Sequence, residues 1–218
     1  MACSGVRTLT AELGLSGRAG DQRLRGPIVA GFERPSSMRL EAVGLLGRRV
    51  FTLVARDGSG TLLLEGEARI LRNAPPDAIL AALTGVNLSP GDLQAILTGC
   101  VVPSPRPTAG RLHGNGLASI DLESGATIYL QRQANQWRLR AARRNGWQIE
   151  YAAWEGQFPR SVRLESASPD ARVDLTTTIS QLETNTDLDP AAFRVDAPAG
   201  ARPLTLEELR QAGPLRGN

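Results

Sequence analysis

PPDAILAALTGVNLSPGDLQAILTG, running from Pro75 to Gly99, is the stretch in which apolar residues recur at helical spacing; most of the chain around it alternates. Ile79, Leu80 and Leu83 form one stripe that Gly85 ends. Ser89-Pro90 then supplies an N-cap with proline at the first helical position, and Leu93, Ile96 and Leu97 form a second stripe closed by Gly99. Each helix is shorter than the ~12–15 residues an isolated helix needs in water, so both must pack on an apolar surface. The flanking sequence supplies that surface as sheet.

Upstream, Leu9, Ala11, Leu13 and Leu15 show the period-2 alternation of a half-buried strand. Gly17 to Asp21 reads as a turn. Leu24, Ile28, Ala30 and Phe32 follow on one side of a second strand, then Met38, Leu40 and Ala42, then Val50, Thr52 and Val54, and Asp57-Gly58 turns into Thr61–Leu64. Beyond the Pro-rich passage Pro103–Pro107, strands are expected over Gly116–Leu122, Ala126–Gln131, Trp137–Ala142, Trp147–Tyr151, Val162–Glu165 and Val173–Leu182, with Asn145-Gly146 as the strongest hairpin signal. Asp189-Pro190 begins a helical turn, and Thr205–Gln211 a final helix. The expected class is mainly β (α+β): a curved antiparallel sheet of roughly ten strands with a helical pair plugging its concave side and leaving an apolar pocket.

Composition excludes several functions. The 218 residues are 41% hydrophobic and 22% charged, with 23 Gly and 14 Pro, a globular and turn-rich balance. The net charge is +3 and every base is Arg, too small a surplus for a nucleic-acid partner. One His and two Cys leave no material for a Cys/His metal site or a disulfide scaffold, and Cys3 and Cys100 pair only if the fold joins them. No apolar run reaches the ~18 residues of a membrane span. Ala2-Cys3-Ser4 reads either as an ordinary start or as the remnant of a lipoprotein cleavage site, with Cys3 the lipidated residue.

The candidates for chemistry are weak. His113 has no Ser or Cys in a nucleophile elbow beside it and reads as a turn or structural residue. Glu65/Glu67, Asp187/Asp189 and Glu207/Glu208 lie in solvated contexts, and the glycines of Gly44–Gly47 and Gly110–Gly116 lack the Lys-Ser/Thr of a phosphate loop. Trp137, Arg138, Arg140, Arg143, Arg144 and Trp147 suggest a basic aromatic hairpin, but alternation places Trp137, Leu139 and Ala141 on a buried face and Arg138 and Arg140 on a solvated one. No enzyme, cofactor or metal is expected. Gly44-Leu45-Leu46-Gly47 is more informative, because two adjacent Leu occupy a strand connection where polar residues are the rule. They either fold back into the core or form a protruding apolar tip.

The order of elements, together with MRLEAVGLLG at Met38–Gly47, AILAALTG at Ala78–Gly85, LSPGDLQAILTG at Leu88–Gly99, WQIEY at Trp147–Tyr151 and FPRSVRL at Phe158–Leu164, resembles the LolB family and, more distantly, LolA. The resemblance runs from about Leu9 to Val195. It implies an unclosed antiparallel β-barrel under a helical lid. It also implies a lipid- and lipoprotein-binding role at the periplasmic side of the bacterial outer membrane, holding acyl chains and passing them on. Leu46 matches the exposed Leu of the family's protruding loop. Leu45 replaces a common Pro, and Ala95 stands where a Trp is usual.

On this reading the pocket and lid comprise Leu13 and Leu15, Ile28, Ala30 and Phe32, Leu40, and Val50 and Val54 from the sheet. The helices contribute Leu80 and Leu83, then Leu93, Ile96 and Leu97. Leu45 and Leu46 form the membrane- or acyl-contacting loop. The expected partners are acyl chains of lipoproteins or lipids, a periplasmic carrier protein and the membrane surface, with no nucleic acid, and the chain is expected to act as a monomer. Residues 1–7 form an N-terminal segment, 8–200 a single domain and 201–218 a tail. Two alternatives stay open: a lipid or glycolipid carrier, and a protein-interaction module of the same fold with no ligand cavity.

Overall fold

The computed structural model describes residues 5–44, 47–166 and 172–212. A first meander comprises β1 (Thr8–Ala19), β2 (Gln22–Glu33), β3 (Ser37–Val43), β4 (Arg49–Arg56), β5 (Ser59–Leu64) and β6 (Arg69–Ala74). Two helices follow, α1 (Pro76–Thr84) and α2 (Pro90–Leu97). The second meander is β7 (Pro107–His113), β8 (Leu117–Leu122), β9 (Thr127–Gln133), β10 (Gln136–Arg144), β11 (Trp147–Glu155), β12 (Phe158–Ser166) and β13 (Val173–Thr184). A 3₁₀ turn (Pro190–Phe193), β14 (Arg202–Pro203) and α3 (Leu206–Ala212) complete the described chain.

All fourteen strands form one sheet, ordered β14-β6-β5-β4-β3-β2-β1-β13-β12-β11-β10-β9-β8-β7. Every neighbouring pair is antiparallel except β14 with β6. The two meanders meet where β1 pairs with β13, from Leu9↔Thr184 to Ala19↔Val173 with one shift of register between Glu12 and Leu13. β14 and β7 are the two unjoined edges, so the sheet curls without closing. Asp57-Gly58 and Asn145-Gly146 carry the paired positive φ values of tight hairpins, 52° and 77°, and 47° and 77°.

The sheet is larger than the sequence suggested because three strands give little alternation signal. β7 is exposed at every position, β14 is two residues long, and β6 carries adjacent rather than alternating buried residues, Ile70 and Leu71. Nor does the chain turn at Gly17. β1 continues to Ala19, with Gly17 at φ +145°, where a Cβ would sit 2.0 Å from the Asp174 carbonyl oxygen of β13. A glycine is needed there for close strand approach, not for a turn.

The concave face carries the core. Leu9, Phe32, Met38, Leu53 and Leu62 are essentially fully buried, and α2 lies against β3 and β12 while α1 rests on β5 and α3. β4 is buried on both faces. The 3₁₀ turn lies against β3 and β4, and Arg39 Nη1 donates to the carbonyls of Ala192 and Arg194 at 2.8 and 3.0 Å. Gly17→Ala is expected to lower unfolding free energy by about 2–4 kcal/mol through backbone strain and collision. Urea denaturation checks this, and wild-type stability would refute the close approach.

Candidate functional site

Between the lid and the concave sheet lies an apolar cavity of about 120 Å³. Leu13 and Leu15 of β1, Ile28 and Phe32 of β2 and Leu40 of β3 form its floor, with Leu80 of α1 and Leu93, Ile96 and Leu97 of α2 above. Strand register brings them together, since Leu13 opposes Ile28 and Leu15 opposes Thr177. The other sequence-selected residues lie elsewhere. Ala30 and Leu83 are buried in the surrounding core, and Val50 is half-buried after the register shift between Ala42 and Val43. Val54 opposes Arg39, whereas Leu53 opposes Leu40, so Val54 takes the opposite phase from the cavity-facing row.

Sequence reasoning missed a second wall. Val162 opposes Thr177 and Leu164 opposes Leu175 across β12 and β13, and all four line the cavity, as do Thr84, Val86 and Leu88 of the lid and its connection. The alternation at Val162/Leu164 and Leu175/Thr177 was the available signal. The hydroxyl of Thr84 donates internally to the Leu80 carbonyl at 2.8 Å, and among the described residues no charged side chain lines the cavity. Filling such a space with apolar groups desolvates no charge among these residues.

The lid's caps explain its local fold. Gly85 closes α1 at φ 74°, and Ser89 and Asp92 form a reciprocal capping box at the start of α2. Asp92 also ties α2 to the sheet, because Arg144 Nη1, at the end of β10, donates to Asp92 Oδ1 at 2.8 Å and to the Val101 carbonyl at 2.7 Å. This pair is largely shielded from water. Nearby, the Tyr151 hydroxyl is buried with no hydrogen-bond partner among the described residues; burial pushes its pKa up, and the Arg144 charge opposes the shift without cancelling it. At the other end of α2, Gly99 at φ 79° fits against Trp154, where a Cβ would meet the ring at 2.9 Å.

Leu45 and Leu46 lie outside the described residues; the base of their connection is closed by the Gly44 N–H donating to the Arg48 carbonyl at 2.8 Å. Cys3 also lies outside them, while Cys100 is fully buried and disulfide-bonded. His113 ends β7 and is within 2.9 Å of the Ser119 hydroxyl. Trp137 is not buried as alternation suggested. It shares the phase of buried Leu139 but borders open cavities, and is 44% exposed, with Leu112 of β7 at 81%.

Among solved structures, similar ones are a DUF1329 family protein from Desulfovibrio piger (13% identity, TM-score 0.57, covering 88% of this chain and 92% of that one) and a LolA superfamily protein from Nitrosomonas europaea (9%, 0.55, 88% and 91%). A lipoprotein-sorting protein domain from Vibrio parahaemolyticus is similar at 8% identity, TM-score 0.53, covering 85% and 88%. At such identities these similarities concern the fold. No curated protein sequence matches the chain. The family model described as outer membrane lipoprotein LolB matches residues 15–181, and the chain belongs to the LolB family. That family comprises outer membrane lipoproteins facing the periplasm, which are non-enzymatic lipoprotein receptors, and membership places this chain at the periplasmic face of the outer membrane.

Arg144→Met leaves Asp92 without its partner, and the lid is expected to loosen. The expected loss is roughly 2 kcal/mol, below the ~3–5 kcal/mol of a fully buried pair because some water reaches this one. Hydrogen exchange should accelerate over residues 90–98 relative to β1 and β2. Equal protection in the variant and the wild type would rule out the Arg144–Asp92 latch.

Proposed function

We propose that this chain binds acyl chains of lipoproteins in the cavity beneath α1 and α2, taking them from a periplasmic carrier and delivering them to the outer membrane. The observation carrying this reading is the uncharged chamber between a sheet floor and two short helices, within the span that matches the LolB family. Each CH₂ removed from water contributes ~0.8 kcal/mol, so a long chain gains several kcal/mol without nucleotide or metal. Handing over the cargo then needs only an acceptor that binds the chain more tightly.

The cavity volume sets a condition on the mechanism. About 120 Å³ is below the ~300–1,000 Å³ of ordinary ligand pockets and comparable to cavities that hold one benzene. The described state is therefore closed, and an entering chain must lift α2, substituting its own methylenes for Leu93, Ile96 and Leu97 against the floor. The Arg144–Asp92 pair opposes that motion. In this reading the protein works as a monomer, Leu45 and Leu46 touch the membrane or the acyl chain, and residues 8–200 act as one domain.

Anchoring through Cys3 belongs to the same proposal and excludes Cys3 as the partner of the disulfide-bonded Cys100, the chain's only other cysteine. A sulfur carrying a thioether lipid cannot also be cross-linked, so the N-terminal peptide mass of protein taken from membranes, without reduction, reads the fate of Cys3.

Native mass spectrometry of protein from a bacterial host is expected to show co-purified acyl-chain masses, and a fluorescent fatty acid should bind. Leu93→Glu puts a charge on the lid's inner face and should weaken that binding at least tenfold. A clean apo mass together with no uptake by the wild type would sink the acyl-chain reading and favour a protein-interaction module. Leu46→Glu is expected to leave fatty-acid binding intact and to abolish transfer to liposomes. Unchanged transfer would return Leu46 to an ordinary connecting residue.

A further inference from the structure

Outside the lid, the sheet splits between two strands of one hairpin. β10 and β11 pair only from Ala141↔Glu150 to Arg144↔Trp147, next to the Asn145-Gly146 turn. Farther from the turn both strands continue, yet each pairs only with its outer neighbour: β10 with β9 as far as Gln136↔Gln133, β11 with β12 as far as Glu155↔Phe158. Both strands are irregular where they part. Arg140 is skipped in the β9–β10 register, and Ala153, at φ 52°, is skipped between Ala152↔Ser161 and Trp154↔Pro159. One bulge, at Arg140, and one left-handed residue, Ala153, which interrupts the pairing without shifting its register, lie where the two strands part.

The split opens a cleft of about 400 Å³ edged by Arg138, Arg140, Gln133 and Trp154. Arg140 Nη1 donates across it to the Tyr151 carbonyl and Arg138 Nη1 to the Gly156 carbonyl, each at a long 3.3 Å. Among the described residues neither guanidinium has a carboxylate partner. Glu155, the acid at the end of β11, is taken by Arg160 at 2.7 Å. Two arginines thus reach one gap with most of their donors unspent, a geometry suited to an anion with several oxygens. Arg138, Leu139 and Trp154 also border a second cavity, of about 440 Å³, with Gly99, Leu130 and Trp137, so an apolar wall adjoins the charged gap.

We propose that the β10–β11 cleft binds the phosphate group of an anionic amphiphile through Arg138 and Arg140, with the adjoining Trp137–Leu130 wall covering the first part of its alkyl chain. The site accounts for an exposed tryptophan on the inner side of the sheet and for two arginines without acids. It extends the acyl-chain reading and rests on it only for the ligand being an amphiphile.

The test uses the whole chain, with its tryptophan fluorescence titrated against dodecyl phosphate, uncharged dodecyl maltoside and inorganic phosphate. Arg138→Gln and Arg140→Gln should each weaken dodecyl phosphate roughly tenfold, the double variant more, and leave dodecyl maltoside unchanged. Arg138→Lys and Arg140→Lys, which keep charge and lose the fork, should fall between, provided circular dichroism shows every variant folded. Inorganic phosphate that binds with the same arginine dependence also supports the cleft, with free phosphate as the source. Dodecyl phosphate binding that is equal in the double variant, or absent from the wild type along with that of inorganic phosphate, overturns it. Failure of dodecyl maltoside to bind the wild type counts instead against the acyl-chain reading.

Discussion

Helices of nine and eight residues cannot hold their shape alone in water, and this constraint organises the molecule. α1 and α2 persist because a curled sheet gives them an apolar floor. Their docking surface is also the cavity wall, so the contacts that order the lid are those a hydrocarbon ligand would take over. A lid built from stronger helices could stay formed when lifted, whereas this one exchanges packing for packing. One shielded ion pair, Arg144 with Asp92, adds a directional contact to an otherwise non-directional seal.

The distribution of charge follows the same division. The cavity is lined by hydrocarbon and two threonines, while the Arg-rich character of the chain appears on strand surfaces and at sheet irregularities. Burying an unpaired guanidinium in the chamber would cost several kcal/mol; at the rim of the β10–β11 split it costs little and leaves donors available. The small net charge of +3 therefore conceals local order, with most ion pairs on the outside and two arginines turned to a gap.

Much of this was legible in residue order. The alternation of Leu13 and Leu15, of Ile28 and Phe32, and of Leu40 placed three strands on the cavity side, and the stripes Leu80 and Leu93/Ile96/Leu97 placed the lid. Val54 failed the same rule because the 3₁₀ turn buries the outer face of β4, so burial stopped reporting the inner face. Trp137 keeps the phase of Leu139 yet stays exposed, because it lines open cavities that no core residue fills. The second wall, Val162/Leu164 with Leu175/Thr177, was visible as strands but not as lining, since nothing local says that β13 will pair with β1. β7 carried no alternation because no position on it is buried.

That pairing governs how the chain can reach its folded state. Leu9 finds its partner in Thr184, so the central seam forms only when nearly the whole chain is available. Local hairpins such as those at Asp57-Gly58 and Asn145-Gly146 can form early, but the curved floor on which α1 and α2 depend cannot. Until then the residues of the future chamber face water on unpaired strands, the condition under which chains aggregate or recruit chaperones. A chain emerging N-terminus first thus carries its most apolar surface uncovered until its final long strand arrives, and the docking of its lid is a late event in its own biogenesis.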